Sequence, residues 1–227
     1  HYAVEDYVAK GRALSAIVDP LSMYLGFLGN GNWTFRILQI LSILLDAGMF
    51  SLFLFKLLKN RRFAITCGLS AVVFLPITFE HTAPNAFNTL FNIPFAFLLL
   101  SFVFFINYLE TGRKRALLAS LVLLFINLVS YESFVMLIPV YWGIALWKIG
   151  IKKQTIRKSL YPTATALLFI ICYIIFGNLF KSSYSGNLLG GFSVKSSIKI
   201  IMQLAQASFP GYYLFSPKYR YLFAYYN

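Results

Sequence analysis

Six apolar runs, separated by short polar or basic connections, constrain this chain more than any other feature. They lie at 35–58, 63–79, 90–109, 116–130, 134–147 and 160–180. About 20 apolar residues suffice for a helix to cross the hydrocarbon core of a bilayer, where a helix satisfies its backbone groups within one segment. With 59% hydrophobic and 12% charged residues, the chain has too little polar surface to clothe a water-soluble globule. The expected fold class is therefore all-α, a polytopic transmembrane helix bundle of about six spans.

The ends of the chain read differently from its middle. Residues 13–28 are moderately apolar but cut by Asp19-Pro20, and Gly29-Asn30-Gly31-Asn32 follows. They fit one or two short juxtamembrane helices lying along the interface. Residues 181–191 are rich in Ser, Gly and Asn, residues 196–207 have the apolar spacing of an amphipathic interfacial helix, and 209–227 are dense in Tyr and Phe, as in an aromatic belt. The expected organisation is a loop with juxtamembrane helices over 1–33, a bundle over 34–180, and a loop, interfacial helix and aromatic segment over 181–227. The chain opens on His1 and closes on Asn227, and is expected to be a piece of a longer protein that has a further span upstream.

Charge assigns the two sides. The net charge of +13 comes from Lys and Arg in short runs between apolar segments, a topology signal rather than the clustered surface of a nucleic-acid binder. The connections at 56–62, 110–115 and 148–158 hold twelve of the twenty Lys and Arg residues if Lys56 is counted. By the positive-inside rule they face the cytoplasm. Glu5, Asp6, Asp19, Glu80, His81 and Glu132 then fall on the opposite side, which collects five of the seven acids.

Three places on that side carry candidate chemistry: the pair Glu5-Asp6, the pair Glu80-His81 and the single Glu132. Each also has a plain reading, as a solvated loop or a helix end at the interface. Glu132 is the most informative, because the Tyr131-Glu132-Ser133 turn has apolar residues on both sides and a carboxylate held there is costly without a partner. Asp46 falls half-way along a run and is expected to make an interhelical hydrogen bond. Asn32-Trp33-Thr34 matches the glycosylation acceptor pattern, and Cys67 and Cys172, both inside apolar runs, are expected to be buried thiols.

Arranged this way, the chain resembles the C-type membrane glycosyltransferases, the GT-C superfamily. In that family an acidic pair stands in the first extracytoplasmic loop, followed by an aromatic residue and a Gly-Arg; the matching residues are Glu5-Asp6-Tyr7 and Gly11-Arg12. The turn Ser130-Tyr131-Glu132-Ser133 is similar to the Tyr-Glu turn of the bacterial GtrII-like O-antigen glucosyltransferases. The resemblance implies transfer of a sugar from a polyprenyl-phosphate donor to a glycan or lipid-linked acceptor, at the non-cytoplasmic face of a bacterial plasma membrane. It implies Asp6 as general base, with Glu5 second. Glu132, Glu80 and His81 would line the acceptor or metal side. Arg12 and Lys195 are selected from several cations on that side to meet the departing phosphate. Some members use a divalent cation such as Mg2+ or Mn2+ and others none, so no cofactor is assigned.

Two other classes stay open at this point. A transporter or lipid flippase would place its polar site near the midplane on broken helices, where this sequence offers Asp46 and the prolines Pro94 and Pro139. A non-catalytic membrane subunit would use its outer acids only to keep loops wet.

Overall fold

The computed structural model describes Arg12, Tyr24 and residues 31–74 and 92–179. The chain divides into two units, His1–Tyr184 and Ser185–Asn227, and every described residue lies in the first. Among the described residues there is no strand. The helices are α1 (Gly31–Leu58), α2 (Arg61–Phe74), α3 (Asn92–Thr111), α4 (Lys114–Ser130), α5 (Ile138–Ile149) and α6 (Lys153–Leu179), with a 3₁₀ turn over Glu132–Leu137 between α4 and α5. Three stretches are long and apolar enough to cross a membrane: Ile40–Leu58, Asn92–Thr111 and Lys153–Ile175.

Sequence punctuation explains the helix ends. Lys59, Gly112 and Gly150 have φ of 59°, 71° and 80°, and each donates its N–H to the carbonyl four residues back, at Phe55, Tyr108 and Leu146. That left-handed closure satisfies one orphan carbonyl and stops each helix. Asn60 then starts α2 by accepting the Phe63 N–H on its side-chain oxygen, 3.1 Å away. Pro94 and Pro139 lie in the first turns of α3 and α5, where no intrahelical N–H is required, so neither breaks a helix.

The core is apolar with polar groups at chosen points, and large apolar side chains stand on the outside as well, unlike a water-soluble bundle. Ser42, Asp46, Asn92, Ser101, Ser120, Asn127, Ser130, Thr155 and Ser159 are buried, while Leu69, Leu118, Met136 and Trp147 are well exposed. Lipid gives helices no hydrophobic reason to associate, so close backbone approach and interhelical hydrogen bonds must do it. Both are present. On α1 and α2, Ala47 and Ser51 meet Ala64 and Gly68, two small residues four apart on each helix. A Cβ at Gly68 would fall on Ser51 Oγ and 2.9 Å from the Ala47 carbonyl oxygen.

α3 is the central helix, packed against α1, α4 and α5. Ser101 Oγ donates to the Ser120 carbonyl at 2.6 Å, and Ser120 Oγ donates back to the Ser101 carbonyl at 2.9 Å. Both serine protons are then used, so the Tyr141 hydroxyl must be the donor in its contact with Ser101 Oγ at 2.5 Å. One fully buried knot thus joins α3, α4 and α5, with the Tyr141 ring edge-on to Phe102 and Phe105. Losing one such buried partner typically costs about 1–3 kcal/mol.

Four sequence expectations need adjustment. α1 begins at Gly31, so Asn32-Trp33-Thr34 lies in its first turn rather than in a loop. α6 begins at Lys153 rather than near 160, because Thr155 and Ser159 continue the buried seam of Pro162, Ala166 and Phe169 at helical spacing. Cys67 and Cys172 are free but only half-buried. The expected interhelical hydrogen bond of Asp46 is not seen at Oδ1, which is enclosed and has no partner.

Candidate functional site

α4 ends because the chain turns extended at Tyr131 (φ −152°, ψ 111°), whose N–H still bonds back to the Asn127 carbonyl at 2.9 Å. The 3₁₀ turn follows at once and places Glu132 at its first position, with the Phe134 N–H held by the Tyr131 carbonyl at 3.2 Å. This break between two apolar helices is where the sequence expects a carboxylate in need of a partner.

The partner is Arg12, 120 residues away in the chain. Its Nε donates to Glu132 Oε2 at 2.7 Å and its Nη2 to Oε1 at 2.6 Å, a two-pronged contact that fixes the guanidinium plane. The side chains are 26% and 29% exposed, so the pair sits at a boundary where it is neither fully screened nor fully desolvated. The guanidinium also lies over the Tyr131 ring, 4.8 Å from its centre. Tyr131 meets Phe134 edge-on at 5.8 Å, and Phe134 stacks on Phe95 of α3 at 6.5 Å. An aromatic ladder therefore ties the charged pair to the central helix.

At the opposite ends of the helices stands a basic rim. Lys148 of α5 donates to Glu110 Oε1 of α3 at 3.0 Å and to the Lys56 carbonyl of α1 at 2.9 Å, and Lys59 approaches Glu110 at 3.2 Å. The carboxy-terminal ends of α1, α3 and α5 thus meet at one level, while the Arg12–Glu132 pair marks the other end of α4 and the start of the α5 segment.

Of the residues singled out from sequence, Arg12 and Glu132 are brought together. Glu5, Asp6, Glu80, His81 and Lys195 lie outside the described residues. Sequence reasoning named Tyr131 only as part of a turn and missed its ring beneath Arg12; its position next to Glu132 at the break between two apolar runs was the available signal. Among the described residues no three His, Cys, Asp or Glu side chains are grouped as a metal ion would require.

The contacts limit what Glu132 can do chemically. A carboxylate with both oxygens engaged by one guanidinium is a positioning group, and the cation it holds is aimed by it. No family model, curated protein or solved structure matches this chain.

Proposed function

We propose that the protein is a polytopic membrane glycosyltransferase of the GT-C type, moving a sugar from a polyprenyl-phosphate donor to a glycan or lipid-linked acceptor on the non-cytoplasmic face. The carrying observation is the Arg12–Glu132 contact. It joins Arg12 to the Tyr131-Glu132 turn, two of the places where the sequence resembles that family. Supporting it, the basic connections collect at the other rim, as six alternating spans would require.

In this reading Asp6 removes the proton from the acceptor hydroxyl as its oxygen attacks the anomeric carbon. The bond from that carbon to the phosphate oxygen breaks, and the electron pair leaves with the polyprenyl phosphate. Arg12, aimed by Glu132, meets the growing negative charge. Arg12 is six positions after Asp6 in the chain, so covalent reach alone keeps their Cα atoms within about 20 Å. Glu5 is the second candidate base, and Glu80 and His81 line the acceptor side, while Glu132 is taken up in holding Arg12. A divalent cation such as Mg2+, if the enzyme uses one, would be held by acids other than Glu132, whose two oxygens are on Arg12, and would neutralise the donor phosphate.

A second reading, a transporter or lipid flippase, is favoured by one observation: Asp46 is 4% exposed within α1, and its Oδ1 has no hydrogen-bond partner. The two readings separate in one experiment. Purified protein in liposomes, given a labelled polyprenyl-phosphate hexose and a glycan acceptor, is expected to form a labelled product, and Asp46→Asn is expected to leave that product within about threefold of the unaltered protein. Label that crosses the bilayer without changing its covalent attachment, and stops crossing in Asp46→Asn, would support transport and overturn the transferase.

A further inference from the structure

The corner between α5 and α6 is built around a closed turn. Gly150 donates to the Leu146 carbonyl at 2.9 Å, Thr155 Oγ1 donates to the Gly150 carbonyl at 2.6 Å, and the Thr155 N–H bonds to the Lys152 carbonyl at 2.9 Å. Thr155 is 1% exposed, so the turn is pinned from inside. At its tip Ile151 is 96% exposed, with Lys152 and Lys153 directly after it.

Beside the tip runs a groove between the two helices, lined by Trp142, Leu146 and Ile156 below and by Ile151, Lys152 and Lys153 above. Leu146 lies one turn from Trp142, so the apolar floor runs about 6 Å along α5 from Leu146 toward the middle of the bundle. The Trp142 ring is fixed by its Nε1–H donating to Thr163 Oγ1 at 3.0 Å. Trp147, 68% exposed, stands at the same end of α5.

A fully exposed isoleucine followed by two lysines is a poor surface for water and a good one for the boundary between headgroups and acyl chains. The lysines carry no ion pair among the described residues, and the groove contains no acid. The whole rim carries twelve basic residues in its three connections against the single acid Glu110.

We infer that this groove is a binding site for one anionic diacyl phospholipid, its phosphate between Lys152 and Lys153 and an acyl chain along Leu146, Trp142 and Ile156. Charge complementarity selects the headgroup, and the descending apolar floor selects a lipid over a soluble phosphate. The inference does not depend on the proposed transferase activity.

The test is native mass spectrometry of delipidated, detergent-purified protein, with phosphatidylglycerol and phosphatidylcholine of identical chains. Phosphatidylglycerol is expected to be retained about tenfold more than phosphatidylcholine, and the double variant Lys152→Gln/Lys153→Gln to lose most of that preference. Lys114→Gln/Arg115→Gln, which removes the same charge from another connection of the same rim, is expected to keep it. Equal losses in the two double variants would mean that only the summed field of the rim attracts the lipid, and would overturn the site. So would equal retention of the two lipids, or equal competition by glycerophosphoglycerol, which has the headgroup without the chains.

Discussion

Asp6→Asn is expected to lower sugar transfer by about 10²–10⁴-fold while leaving expression and membrane insertion unchanged, measured as label moved per milligram of inserted protein. The size follows from what a positioned base contributes to a transition state in which a hydroxyl proton is lost. An amide keeps the volume and polarity of the carboxyl but cannot accept that proton. The good leaving ability of a phosphate needs no general acid, so the base carries the proton-transfer part of the barrier alone. Glu5→Gln is expected to have the smaller effect, and the reverse order would exchange the two roles. Full transfer by Asp6→Asn would remove Asp6 from the mechanism.

Reversing the charge of Arg12 or Glu132 alone is expected to destabilise the folded protein by about 2 kcal/mol. Each single reversal replaces two charge-assisted hydrogen bonds, at 2.6 and 2.7 Å, by like charges at the same place. Partial exposure of both side chains keeps the cost below that of a fully buried pair. The double variant Arg12→Glu/Glu132→Arg restores opposite charges and is expected to recover most of the stability in a thermal unfolding measurement. Transfer is expected to stay low in the same double variant, because the cation then sits on the Tyr131–Ser133 turn and no longer faces the donor phosphate from the amino-terminal side. Recovery of both stability and transfer would make the pair a structural tie and nothing more.

Much of the helical layout was legible because it rests on local chemistry. Among the described residues each apolar run holds a helix, and Gly112 and Gly150 stop two of them with positive φ. The break at Tyr131 was legible because nothing polar enough to be a loop was available around it. What depended on tertiary packing was not. The start of α6 looked like a basic connection, and only the burial of Thr155 and Ser159 against neighbouring helices reveals that it is helix. The knot of Ser101, Ser120 and Tyr141 was invisible for the same reason: a serine in an apolar run reads as tolerated until its partner on another helix is known. Asp46 was recognised as costly, but its surroundings at Oδ1 were not what the cost alone suggested.

The candidate site divides along the same line. That Glu132 needs a partner follows from its turn; that the partner is Arg12 follows from an arrangement 120 residues wide, which no local pattern encodes.

The central claim is that the amino-terminal acids and the Tyr131–Ser133 turn form one site, and proximity in the membrane tests it most directly. With Cys67 and Cys172 replaced by Ser, the pair Asp6→Cys and Ser133→Cys is treated with a short bismaleimide in native membranes, alongside Asp6→Cys with Thr111→Cys at the basic rim. The account predicts an intramolecular cross-link in the first pair and none in the second. No link between positions 6 and 133, or equal linking to position 111, would contradict it.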